Sequence, residues 1–236
     1  MTAIRELPTG LVLKHGGHKP TDHEFCVMEA VAYVAGEEWS DSPQCACPVI
    51  SAFLRQWNDD LPDDESRTRL LTPLIPLLVG TKSTKEVELV RVMLCIDWVV
   101  REFTPTWLEL VPSLVDCGKT LRDLKPIQSW EDLDAAILLL RQAQEKSAAT
   151  RDATSAVAWA AVGDAARAVA WAAARAAAGA ATSAVAWAAA RAAAGAAAGA
   201  VARAAARAAA RDALKPTTLK LQESALRLVD RMIAVK

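Results

Sequence analysis

Large aromatic side chains are scarce in this chain. Only 5% of the 236 residues are aromatic, and eight of those are tryptophan against one tyrosine and three phenylalanines. That excludes a uniformly aromatic core and leaves a few large anchors. Cysteine is thin as well, at five residues, an odd number without the density of a secreted disulfide scaffold. The opening residues, Met1 to Pro8, contain no apolar core of the signal-peptide kind. A reducing, cytoplasmic setting is therefore the expectation. Long runs free of charge are missing too. Arginine recurs every several residues through the alanine-rich part, and arginine at a bilayer centre is costly, so no membrane helix is expected. No stretch reads as a complete catalytic motif.

What is abundant is alanine, the best helix former and a poor strand former. The composition suits an all-α fold, of a length for one or two domains. The spacing predicts an N-terminal multi-helix unit over 1–125. Over 126–236 it predicts a helix, an Ala-rich antiparallel helical array and a C-terminal amphipathic helix. The net charge of -1 hides an asymmetry: residues 1–150 carry 15 Lys/Arg against 23 Asp/Glu, and 151–236 carry 12 against five. An acidic front and a basic rear attract each other, within one chain or between copies. The basic half is too sparsely charged for a general nucleic-acid binder.

Local signals place the elements. Residues 1–20 are irregular, with Leu11–Leu13 as a short extended piece that has no evident partner. A helix over 23–35 takes Thr21 or Asp22 as its cap and Gly36 after its end. Pro48 suits the first turn of a helix over 48–58, with Val49, Ile50, Phe53, Leu54 and Trp57 inward. Pro73 and Pro76 interrupt a helical stretch over 64–79. Ser83 or Thr84 caps a helix over 85–103, Thr104-Pro105 breaks it, and 106–116 forms a short helix. Ser129 caps a helix of about 130–147. Pro216 ends the array, and a last helix begins at Thr217 or Thr218.

The alanine-rich stretch, Ala153–Leu214, holds an internal repeat. AVAWAAARAAAGAA at 168–181 recurs letter for letter at 184–197. On one straight helix a 16-residue shift turns a side chain by roughly 160°, which would set Trp171 and Trp187 on opposite sides. A fold-back at Gly179–Ser183 lets both meet one core, with glycine past one helix end and Thr182 or Ser183 capping the next.

Three constellations could carry chemistry. His18, Cys26, Cys45 and Cys47 are residue types that bind zinc, and a structural site closes four of them round the ion; their spacing matches no standard zinc-finger pattern. The same region read as a covalent catalyst has Cys26 as nucleophile in the first turn of a helix, where the dipole lowers a thiol's pKa. His18 or His23 would be its base, Asp41 the orienter of that base, and Glu29 a proton carrier or metal ligand. Against both stands a structural role, with Cys26 a small core residue between Phe25 and Val27. The third constellation is Arg203, Arg207 and Arg211, a stripe at i, i+4 spacing able to grip an anion. Trp171 and Trp187 each stand four residues ahead of an arginine, as cation–π pairs do. The alternative there is a solvated helix face.

GGHKPTDHEFCVMEAVAYVAGE, SDSPQCACPVISAFLRQWNDDL, the Ala/Trp/Arg array and LKPTTLKLQESALRLVDRMIAV together resemble a family of Ala-rich proteins of actinobacterial and phage-type genomes. The likeness falls on His18, Cys26, Glu29, Asp41 and Cys45, and it implies an intact natural fold with no activity attached. The functional expectation is thus a non-enzymatic interaction or sequestration protein. It would be homo-oligomeric and take a small anionic ligand or a protein partner. A Cys/His enzyme, with or without zinc, is the alternative.

Overall fold

Four of the described helices start on a side-chain cap just ahead of them, and the first one shows how. The computed structural model describes residues 5–149 and 207–236, with side chains over 5–146 and 214–236. Helix α1, Val27–Ala35, starts later than the predicted 23–35 because Cys26, not Thr21 or Asp22, is its cap. Pro20–Asp22 form a separate 3-10 turn, and His23 then takes a left-handed conformation (φ 54°) that no helix can continue. Cys26 Sγ accepts the Glu29 N–H at 3.4 Å, and the Glu29 carboxylate accepts the Cys26 N–H at 2.7 Å. This is a capping box with sulfur in the hydroxyl's place. Gly36 ends α1 in the left-handed region, as predicted.

Helix α2, Pro48–Asp60, carries Pro48 at its first turn and buries all five residues assigned to its inner face. Asp63 caps α3, Asp64–Leu71. The two prolines then resolve into a 3-10 turn, Thr72–Leu74, and the short α4, Ile75–Leu78. Thr84 caps α5, Lys85–Trp98.

The break predicted at Thr104-Pro105 does not occur. Val99–Phe103 form a π-helical turn, and the helix continues through Pro105 as α6, Thr104–Leu108. In the π turn the Thr104 N–H reaches back five residues to Val99 O. The ladder is thus already out of α register where proline has no N–H to give, and the ring costs less than in an unbroken helix. The Thr106 hydroxyl donates to Glu102 O at 2.7 Å, satisfying one of the carbonyls in this disturbed stretch. A helix over 106–116 is replaced by a 3-10 turn, Pro112–Leu114, and α7, Val115–Arg122. Helix α7 presses on α6 at Gly118, where a Cβ would stand 2.8 Å from Glu109 Cγ and 3.1 Å from Pro105 O.

Ser129 and Asp132 cap α8, Trp130–Ala149, by exchanging bonds with each other's N–H. Leu133, Ala136, Leu140 and Ala143 face inward. Helix α9, Arg207–Ala234, corrects a further expectation by running straight through Pro216. Pro216 is exposed, so its ring meets solvent, and the alanines just ahead of it supply the strongest helix propensity. The described residues are thus all-α. Their one strand-like contact is a parallel bridge from Leu13 to Phe25, which gives the Leu11–Leu13 piece its partner.

Trp98 centres the core, edge-on to Phe53 at 6.0 Å and tilted on Phe103 at 5.2 Å. Its indole N–H donates to Ser224 Oγ at 2.6 Å, tying α5 to α9. Two buried arginines finish helices that are not their own. Arg91 donates to Met232 O and Val235 O, each at 2.8 Å, and to Thr81 O at 2.6 Å. Arg67 donates to Asn58 O at 2.6 Å and Leu61 O at 3.0 Å at the end of α2. Each places a cation on the negative end of a helix. No described helix is long and apolar enough to cross a membrane. The 16-residue repeat, the fold-back at Gly179–Ser183, Trp171, Trp187 and Arg203 lie outside the described residues. Arg207 and Arg211 fall within α9, their side chains likewise outside the described ones.

Candidate functional site

The histidine–cysteine constellation is built on a strap, residues Arg5–His18, that crosses α1, α2 and α3. Leu13 is fully buried at its middle. The Leu13 N–H donates to Thr68 Oγ1 at 2.9 Å, and the Lys14 N–H to Phe25 O at 2.8 Å. Asn58, buried at the end of α2, works in two directions. Its side-chain amide donates to Lys14 O at 2.8 Å and accepts the Val27 N–H at 3.2 Å. Lys14 Nζ pairs with Asp64 at 2.7 Å, and the Gly16 N–H donates to Asp59 Oδ1 at 2.8 Å. Gly16 itself sits at φ 84°, a conformation that favours glycine.

The strap ends on Glu29. This carboxylate is 2% exposed. Oε1 accepts the His18 N–H at 2.6 Å; Oε2 accepts the Cys26 N–H at 2.7 Å and faces His18 Nδ1 at 2.9 Å. A carboxylate in that position sets the imidazole's tautomer with the proton on Nδ1. Nε2 faces outward, 3.6 Å from Glu24 Oε2. Trp39 closes the far side, its indole N–H donating to His18 O at 2.8 Å. Glu29 is therefore a hub that gathers the strap, the start of α1 and the histidine ring on one buried anion. Charge-assisted bonds of this kind are the stronger class.

His18, Cys26 and Glu29 do come together. Asp41 does not join them: it lies exposed in the loop ahead of α2, bonded to Ser42 Oγ at 3.0 Å, with its carbonyl on Arg55. The group that orients His18 is Glu29. The expected lowering of the Cys26 pKa at a helix start is reversed. Burial pushes this thiol up to about 12, the neighbouring Glu29 charge adds to that, and backbone N–H donors only partly offset it. His15 and His23 are exposed. Cys45 is half-buried, and its N–H and that of Gln44 are held by Glu37 at 2.7 and 2.6 Å. Burial first, and Glu37 second, raise its pKa. Cys47 is buried as the residue before α2, its N–H on Thr81 Oγ1 at 3.0 Å. Among the described residues no group of three or more His, Cys, Asp or Glu side chains is disposed to hold a metal ion.

No family model, curated protein or solved structure matches this chain. The geometry must carry the functional reading alone.

Reasoning from sequence missed the role of Glu29 as hub, although Cys-x-x-Glu is spaced as a capping box and could have shown it. Asn58, Thr68 and Asp59, which seat the strap, left no comparable signal, because the strap residues they hold lie far away in sequence. Asp60, beside this seat, bonds to Gln56 at 3.0 Å, and its pKa is raised to about 6. Burial is the main cause, and Asp59 adds repulsion, while the Gln56 bond and His15 pull the other way. A carboxyl raised from 3.8 to about 6 holds its proton in the folded state after the unfolded chain has lost it, so stability falls as pH rises across that window. Asp60→Asn is therefore expected to stabilise the protein by about 1 kcal/mol at pH 7.5, after discounting for solvent screening, and to change little at pH 4. Urea titrations at the two pH values test this; an equal shift at both would refute the assignment.

Proposed function

We propose that the protein is a non-enzymatic interaction or sequestration protein of the cytoplasm. It acts as an oligomer and takes up a small anionic ligand or a protein partner where the Ala-rich segment meets the helical body. The observation that carries this reading is the saturation of Glu29. The imidazole and the helix-start cysteine, the best candidates for chemistry, are both committed to one buried carboxylate as internal fasteners. A nucleophilic cysteine needs a thiolate that substrate can reach, and Cys26 is buried with its pKa at about 12. The five cysteines, all free thiols, fit a reducing setting. Arg203, Arg207 and Arg211, with Trp171 and Trp187, are the ligand-binding residues of this proposal, on charge and spacing.

Thiol mapping separates this reading from the competing Cys26–His18 enzyme, with or without zinc. Iodoacetamide at pH 7.5 should modify the half-buried Cys45 and Cys117 well before Cys26 in the native protein. Rapid alkylation of Cys26, or stoichiometric zinc held with one open coordination position, would overturn it; zinc lost together with folding in Cys26→Ser or Cys45→Ser would be structural. For the ligand, inorganic phosphate and small dicarboxylates should raise the melting temperature. An unchanged response in the Arg203/Arg207/Arg211 triple alanine variant would remove the arginine face from the proposal.

A further inference from the structure

We infer that two copies of this chain associate by exchanging the strap Arg5–His18, each strap seating on its partner's α1, α2 and α3 in place of its own. The inference rests on the oligomeric part of the reading above and names the surface that would carry it.

The strap is held by groups on other elements. Thr68, Asn58, Asp59, Asp64 and Glu29 receive or supply its bonds, and Trp39 closes over its last carbonyl. An identical strap from a second copy satisfies every one of these groups equally, which is why exchange is a low-cost route to dimers. The seat is also apolar. Leu13 is fully buried there, with Leu7 and Leu11 partly buried against the same core. A strap that lifts away leaves this surface to be refilled, and one of the same sequence fits it.

The connection has the character of a hinge. Residues 19–24 are exposed at every position. They contain the 3-10 turn Pro20–Asp22 and then His23 at φ 54°, a backbone conformation disfavoured for a residue with a Cβ. In the closed chain this segment must double back, because His18 and Cys26, at its two ends, donate to the same Glu29 carboxylate. Opening the hinge releases that conformation, and short connections under strain are the ones that invite exchange. Extended, six residues reach about 20 Å, enough to join two bodies whose Glu29 sites face each other across a two-fold axis.

The test uses the full chain. Lys14→Cys and Asp64→Cys variants are mixed, unfolded and refolded together, then treated with a short bismaleimide; Lys14 Nζ and Asp64 Oδ2 lie 2.7 Å apart in the seated strap. Both side chains are partly exposed, so the reagent reaches them, and although the changes remove the Lys14–Asp64 pair, the strap's other bonds stay in place. Exchange gives a covalent heterodimer on a denaturing gel, above the background when either variant is mixed with wild type, which accounts for the native cysteines. His23→Gly removes the left-handed penalty from the closed hinge and lowers the dimer fraction by about tenfold in association constant. A heterodimer yield no higher than those controls overturns the exchange. If light scattering then still reports an oligomer, the oligomeric reading stands and only the strap is ruled out. A chain monomeric at every concentration overturns both.

Discussion

Arg91→Ala is expected to lower stability by about 3–5 kcal/mol, the scale for several largely buried carbonyls losing their donor together with the cavity left behind. The guanidinium is 2% exposed and donates to three carbonyls, Thr81 O, Met232 O and Val235 O. Alanine leaves all three without a donor and opens a cavity between α5 and the end of α9. In a chain of this length each kcal/mol corresponds to roughly 2–4 °C in melting temperature, so a fall of about 10 °C should be seen by calorimetry. Arg91→Lys keeps the charge but cannot reach three carbonyls at once, and should recover only part of the loss. A melting temperature within a degree or two of wild type for Arg91→Ala would mean that the end of α9 does not depend on this arginine.

The second large effect belongs to Glu29. Glu29→Ala should cost about 3–4 kcal/mol, because the buried Cys26 N–H and the partly buried His18 N–H lose their acceptor together and unmet buried donors cost about 1–3 kcal/mol each. The loss should be uneven across the molecule. Amides of Gly16 and His18 should exchange with solvent much faster in the variant, while those at the centre of α5 should follow global stability alone. Glu29→Gln tests the charge separately. In its better orientation the amide nitrogen would still face one N–H donor, that of His18, so part of the penalty remains although the volume is kept. Uniform exchange acceleration across the strap and α5 would show that Glu29 supports the whole fold rather than the strap.

How much of this could be read from the sequence depended on distance along the chain. Gly36, Thr84 and Ser129 mark helix ends through bonds to residues within one turn, Pro48 through its fixed φ, and all four stand where local chemistry puts them. Pro105 and Pro216 were legible only as penalties. The π turn lowers the first and exposure lowers the second, and neither condition is written in the residues adjoining the proline. At Cys26 a local and a tertiary effect oppose each other: the helix start favours the thiolate, and burial, which packing decides, favours the thiol. Arg91 is the extreme case. Nothing near it announces that two of its three carbonyl partners lie more than 140 residues later.

The π turn at Val99–Phe103 also bears on insertions and deletions. A π turn closes its bond one residue further back than an α turn, so Lys85–Leu108 carries a one-residue frame shift inside a continuous helix. Deleting a residue from this turn would let the ladder close in pure α register with no break in the helix. Because the wider turn absorbs its extra residue locally, the helix beyond would keep its orientation relative to α5, with Trp107 and Leu108 still on the core and Gly118 still against the backbone at Pro105. What the deletion would bring back is the full penalty of Pro105, whose ring in pure α register meets the carbonyl four residues before it. The extra residue in the π turn thus makes room for a proline inside a continuous helix.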